Sequence, residues 1–325
     1  MVILPTEGCN FRCVYCYEDF AISRMPADVV GGIKRFLSSR FSELTRLDIS
    51  WFGGEPLLAP DIVLDVLGHI ATLRKAYPKT KFSSDITTNA YRLDPSLLDK
   101  LVHLGVRSLQ ITLDGTKRLH DSKRIRADGS GTFGVIWTNL LSMKASKTPF
   151  EAILRLHVDQ TNREDMIRLL DQCAEEFSED SRFSFFIRPL SRLGGPHDAS
   201  LKILGKQEAI DVIAGLKDHA KTLGLQVWLK GEQESMCYAA RANSLVIRAD
   251  GQINKCTVAM RDPRNVVGRL RNDGTVSLDK NAMLPWLRGL WSGRPEELKC
   301  PLSGMGTSPS RAKAVRTERK ALSRI

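Results

Sequence analysis

Six short apolar runs, each leading into a stretch with apolar residues three and four apart, limit what the first two thirds of this chain can become. The runs lie at residues 2–5, 46–54, 81–90, 108–115, 151–159 and 182–190. The helical patterns lie at 28–41, 60–77, 95–105, 134–146, 163–177 and 205–224. Asp94-Pro95 and Asn162 read as helix starts, and Gly105 as a helix end. Strands that alternate with helices make parallel β-α units, so the fold class is α/β. Six units are too few for a closed eight-stranded barrel. We therefore expect a partial (β/α)6 barrel, with ligands held where strands end and loops begin.

After about residue 226 the pattern changes. "SLVIRADGQINKCTV" reads as a hairpin turning at Asp250-Gly251, and "NVVGRLRNDGTVSLD" as a second turning at Asp273-Gly274. A loop-like stretch follows. The expected organisation is a barrel over 1–230, a small hairpin-and-loop domain over 231–305, and a basic tail over 306–325.

That tail holds Arg311, Lys313, Arg316, Arg319, Lys320 and Arg324 and contributes to a net charge of +11. It reads either as a solvated end or as an electrostatic grip on an acidic peptide or nucleic acid. No motif with interleaved aromatics supports specific nucleic-acid binding. No apolar run nears the roughly 20 residues of a membrane span, and no signal peptide opens the chain. A cytoplasmic location and no membrane partner are expected, so thiols favour metal over disulfides.

Cys9, Cys13 and Cys16 fall directly after the first strand, three of the seven cysteines in the chain. Three thiols cannot all pair as disulfides. A structural zinc wants four protein ligands, and no fourth Cys or spaced His lies nearby. A four-iron cluster on three thiolates keeps one iron open for chemistry. Asn10 and Arg12 make the segment polar, which argues against a chance cluster of core thiols.

The C-x3-C-x2-C spacing followed by aromatic Tyr17 resembles the signature of the radical S-adenosylmethionine (SAM) enzymes. Further matches follow in order: "GGEP" at 53–56, "TTNA" at 87–90, "TLDG" at 112–115, "HDSKR" at 120–124 and "GSGTF" at 129–133. The set is similar to the peptide- and protein-modifying branch that carries a SPASM-type C-terminal domain. The resemblance covers roughly residues 1 to 256. It implies a [4Fe-4S] cluster on Cys9, Cys13 and Cys16, with the open iron taken by the amino and carboxylate groups of SAM.

On this resemblance Tyr17 packs near the adenine, and Gly53, Gly54 and Glu55 meet the SAM ammonium. Two glycines let the backbone come close to a ligand, and Pro56 fixes the exit turn. Asn89 and Thr112 are expected at the ribose or carboxylate, and Arg124 at the carboxylate. One electron from a donor such as flavodoxin or ferredoxin then cleaves SAM to methionine and a 5′-deoxyadenosyl radical, which takes hydrogen from an unactivated carbon. His120 reads as a site-lining or loop residue, Trp51 and Cys173 as core, and His69, His103 and His219 as structural.

The resemblance frays in the last third. Cys237 and Cys256 flank Gly251 as the opening of a SPASM domain would, but only Cys300 follows, with Glu297, Gly306 and Ser310 where further cysteines would stand. Either one auxiliary iron–sulfur cluster uses Cys237, Cys256 and Cys300 with a fourth ligand, or the segment folds without metal. The expected activity is modification of a side chain in a peptide or protein substrate, as in maturases of ribosomally made peptides. The alternatives are an anaerobic sulfatase-maturing enzyme and a non-catalytic or degenerate iron–sulfur relative. Formylglycine formation is disfavoured by Thr257, where the sulfatase-maturing pattern has an Asp. The chain begins at its first barrel strand, so no leader-binding domain is expected before the cluster, and substrate capture falls to the barrel mouth, the basic surface or a partner.

Overall fold

A computed structural model describes residues 1–18, 20–228 and 236–305. The strands are β1 (Val2–Ile3), β2 (Phe11–Cys13), β3 (Arg46–Trp51), β4 (Lys81–Thr88), β5 (Val106–Leu113), β6 (Arg124–Arg126), β7 (Glu151–Val158), β8 (Phe183–Pro189), β9 (Val246–Ile247), β10 (Gln252–Asn254), β11 (Val266–Leu270) and β12 (Val276–Leu278). The helices of the barrel are α1 (Ala27–Arg40), α2 (Pro60–Ala76), α3 (Pro95–His103), α4 (Lys117–Lys123), α5 (Phe133–Ala145), α6 (Arg163–Phe177) and α7 (Lys206–Thr222). Three short helices follow β12: α8 (Lys280–Leu287), α9 (Gly289–Ser292) and α10 (Pro295–Lys299).

Ten strands form one sheet in the order β12-β11-β10-β9-β1-β3-β4-β5-β7-β8. The six expected strands are β1, β3, β4, β5, β7 and β8, and each pairs with the next in parallel. Their patterning explains the layers. In β3, Leu47, Ile49 and Trp51 are buried while Arg46 and Asp48 are exposed, and in β7, Ala152, Leu154, Leu156 and Val158 are buried on one face. Trp51 and Cys173 are fully buried in the core, as their sequence context suggests.

Helix ends follow their residues. Asp94 caps α3 by accepting the Leu97 N–H at 2.8 Å, with Pro95 in the first turn. Asn162 stands at the start of α6 but does not cap it with its side chain. Its Oδ1 accepts the Asp159 N–H, and its Nδ2 donates to the carbonyls of His157 and Asp114, tying the ends of β5 and β7 together. Two elements carry no readable period: the seven-residue α4, and a small two-stranded sheet that pairs β2 with β6.

The two expected hairpins are present, and they continue the barrel sheet. β9 pairs in parallel with β1, and β10, β11 and β12 add in antiparallel fashion. This covers the edge that β1 would otherwise expose. Arg248, next to β9, donates from Nε to Glu7 Oε1 at 3.0 Å, and the Ala249 N–H donates to the same oxygen at 3.3 Å. The boundary expected near residue 230 lies outside the described residues, as do Gly306, Ser310 and the basic tail over 306–325.

Candidate active site

The loop after β1 is shaped by its own polar atoms. The Phe11 N–H donates to Cys9 Sγ at 3.3 Å, and the Cys16 N–H to the Cys13 carbonyl at 3.0 Å. Arg12 Nη1 donates to the carbonyls of Cys9 and Phe11, both at 2.7 Å, which pulls its charge back over the loop. Cys13 lies on β2 opposite Arg124 on β6, so the small sheet sets the cysteine loop against the "HDSKR" segment.

"GGEP" fits onto this loop. Gly53 has φ +125°, and a Cβ there would lie 2.2 Å from the Thr6 carbonyl oxygen. At Gly54 a Cβ would lie 2.4 Å from the Gly8 oxygen and 2.6 Å from that of Glu7. The Glu55 N–H donates to Gly8 O at 3.0 Å. The glycines therefore admit the chain's own cysteine loop, while both also line the cavity described below.

The Glu55 carboxylate is buried and used within the protein. Oε1 accepts the Leu57 N–H at 2.9 Å and the Thr88 hydroxyl at 2.7 Å, and Oε2 accepts the Asn89 N–H at 2.6 Å. Burial raises its pKa even against these donors. Asn89 is committed as well: its Nδ2 donates to Asn10 Oδ1 at 2.9 Å, and its Oδ1 accepts the Tyr91 N–H. Pro56 is buried in the short turn Pro56–Leu58 and does not line the cavity.

A second network holds the far side. Arg124 Nη1 donates to the Tyr15 hydroxyl at 2.7 Å, and that hydroxyl donates to Asp114 Oδ2. Burial pushes Asp114 up, but His157 and Arg124 outweigh it and hold the carboxyl well below the usual range. His120 is fully buried. Its Nδ1 accepts the Asp114 N–H at 3.3 Å, so Nε2 carries the proton toward the Thr132 hydroxyl at 3.1 Å. Burial, and then Arg124, lowers its pKa to about 4. His120 thus braces the site from behind and does not line it.

These two networks enclose a cavity of about 270 Å³. Cys9, Cys13, Cys16, Tyr17, Gly53, Gly54, Glu55, Asn89, Thr112 and Arg124 all line it. The sequence reading missed Tyr15, Arg155, His157 and Arg188, which line it too. Arg155 and His157 had a signal: in "EAILRLHVD" they alternate with the buried Leu154, Leu156 and Val158, on the face turned away from the helices.

Cys237 and Cys256 are half-buried, Cys300 is exposed, and none of the three lines this cavity. Their segments do meet: the Cys237 N–H donates to the Leu298 carbonyl at 2.8 Å, and the Tyr238 hydroxyl bonds Thr257 at 2.8 Å. Thr257 and Val258, directly after Cys256, reach the main cavity.

Among the described residues no three of His, Cys, Asp or Glu converge on one metal ion. Three thiols spread around a shared cavity instead suit a cluster, whose ligands each bind a different iron. Burial pushes the Cys9 and Cys13 thiols up and Cys16 to about 12, so loading iron must release their protons. Arg124 Nε, buried with no partner among the described residues, leaves a donor for an oxyanion bound beside them. The donor set fits a three-thiolate cluster with an amino-acid cofactor.

Fold and site together define an iron–sulfur enzyme built on a partial barrel. The chain belongs to the radical SAM superfamily, whose family model matches residues 3–173, just over half its length. Members use a [4Fe-4S] cluster and SAM, and the chain is an enzyme of this radical, oxidoreductase type. Among curated proteins it is similar to GTP 3′,8-cyclase 2 of Mycobacterium bovis, at 24% identity over 88% of this chain and 81% of that one. It is also similar to a cysteine-type anaerobic sulfatase-maturating enzyme of Clostridium novyi, at 26% over 61% and 53%. Among solved structures, anSMEcpe with AdoMet and the Cp18Cys peptide matches with TM-score 0.62 at 19% identity, over 87% and 79%. Streptococcus suis SuiB with precursor peptide SuiA matches at 0.61 and 16%, over 90% and 66%. Among the described residues no helix is long and apolar enough to cross a membrane.

Proposed function

We propose that this enzyme modifies a side chain of a peptide or protein, in the manner of the maturases of ribosomally made peptides. The observation that carries this reading is the cavity wall. Leu190 and Leu193 from the segment after β8, with Thr257 and Val258 after β10, line the same space as the three cysteines. Such a wall suits an amino-acid side chain entering beside SAM. The structural likeness to a peptide-bound sulfatase maturase and to SuiB with its precursor peptide supports the reading.

Bound together, the reduced cluster and SAM supply a radical able to take hydrogen from an unactivated carbon. The chain's own residues hold and orient. With Glu55 and Asn89 spent inside the protein, the ammonium falls to the carbonyls of Gly53 and Gly54, the carboxylate to Arg124, the ribose to Thr112 and the adenine to Tyr17. The electron comes from a flavodoxin- or ferredoxin-type donor. Thr257 lines the cavity with its hydroxyl bonded to Tyr238, so it offers no carboxylate base for sulfatase maturation.

The test pairs reconstituted, reduced enzyme and SAM with peptides encoded beside its gene, and follows 5′-deoxyadenosine and peptide mass together. Peptide-dependent 5′-deoxyadenosine with a shifted peptide mass is expected. Turnover of GTP with no peptide altered would overturn the reading.

A further inference from the structure

Two guanidiniums in the cavity have no anionic partner in an ion pair among the described residues. Arg155 on β7 donates from Nε to the Thr112 hydroxyl at 3.0 Å and makes no ion pair among the described residues. The guanidinium carbon of Arg188 on β8 lies 5.8 Å from the centroid of the Phe186 ring, and among the described residues that guanidinium makes neither an ion pair nor a hydrogen bond. Both are half-buried and both line the cavity. Arg124, by contrast, is tied to Tyr15 and stands 3.9 Å from Asp114.

A guanidinium cannot shed its charge as a buried lysine can, so two of them facing one cavity are costly until an anion arrives. Burial, then the neighbouring charges of Arg124 and Arg188, depresses the Arg155 pKa, and burial depresses that of Arg188. The cofactors do not remove the imbalance. In its oxidised form a four-iron cluster on three thiolates is net negative, and SAM, with a sulfonium, an ammonium and a carboxylate, is net positive by a matching amount. Together they bring no spare anion.

We propose that Arg155 and Arg188 form an anion subsite that takes a carboxylate of the substrate beside SAM. The proposal rests on the peptide reading above and narrows it to acidic peptides, recognised through an Asp or Glu side chain or a free C-terminal carboxylate. Pro189, Leu190 and Val258 line the same cavity, and in such partly dry surroundings a guanidinium–carboxylate pair is strong and directional.

The test equilibrates the iron- and SAM-loaded protein with a synthetic pool of randomised peptides, half with free and half with amidated C-termini, and sequences what is retained. Parent and Arg188→Lys should retain carboxylate-bearing peptides about tenfold over their amide counterparts, the worth of one charge-assisted pair. Arg155→Gln and Arg188→Gln should lose that preference. A preference confined to free C-termini places the carboxylate at the chain end, and one seen in amidated peptides places it on a side chain. If a Gln variant fails to fold, the parent's preference must still shrink as salt is raised. Peptide retention indifferent to charge overturns the subsite and leaves the peptide reading standing. Retention of no peptide overturns both.

Discussion

A Cβ on Gly54 would stand 2.4 Å from the carbonyl oxygen of Gly8, one residue before Cys9. The cofactor-gripping turn and the cluster loop are therefore one packed unit. Gly54→Val should displace the cysteine loop and lower the iron bound on reconstitution, along with SAM affinity. Iron analysis and SAM titration on the same preparation check this. Full iron with weakened SAM binding would mean that the glycine faces the ligand after all.

Two histidines, the fully buried His120 and the cavity-lining His157, set the acid limit of the cluster-free protein. Burial lowers both His120 and His157 to about 4, and the unfolded value is about 6.5. The unfolded chain therefore binds more protons between these values, so stability is full above pH 6.5 and falls as pH drops toward 4. Linkage gives a loss of about 2 kcal/mol per histidine between pH 7.5 and 5. Urea unfolding at both pH values measures it, and His120→Asn should remove about half of the two histidines' combined loss. An equal slope in that variant would refute a neutral His120.

The pair of Arg248 and Glu7 joins the hairpins to the segment that leads into Cys9, with both side chains buried. Arg248→Met leaves a buried carboxylate uncompensated and should cost about 3–5 kcal/mol. Hydrogen exchange should quicken first at β9 and β10. Exchange raised evenly over the chain would show that the hairpins are no separate cooperative unit.

The auxiliary cluster remains a proposal with a simple count behind it. If Cys237, Cys256 and Cys300 hold a second cluster, iron should exceed that of the first site by about four per chain, and Cys256→Ser should remove the excess. An iron content of about four that Cys256→Ser does not change would make the segment a metal-free cap over the barrel.

The barrel was legible because its strands and helices carry clean periods, and the cysteine loop because its spacing has few other uses. β2 and α4 were not, since three residues and seven mixed ones show no period. Gly53, Gly54 and Glu55 of "GGEP" line the cavity, but that the two glycines also pack against the cysteine loop is a close backbone approach no sequence pattern reports. Arg188 was hidden for a different reason. In "RFSFFIRPL" both faces of β8 are partly apolar, so nothing singles out the cavity side. The continuity of the sheet from β1 to β9 joins residues some 240 apart, a pairing no local pattern reports.

The central claim is that Cys9, Cys13 and Cys16 hold a cluster that cleaves SAM. The direct measurement is 5′-deoxyadenosine released from SAM by anaerobically reconstituted, dithionite-reduced protein, with parent and the Cys9→Ala/Cys13→Ala/Cys16→Ala variant side by side. The parent should form 5′-deoxyadenosine, and the variant should form none while keeping its fold by circular dichroism. Equal 5′-deoxyadenosine from both would contradict the account.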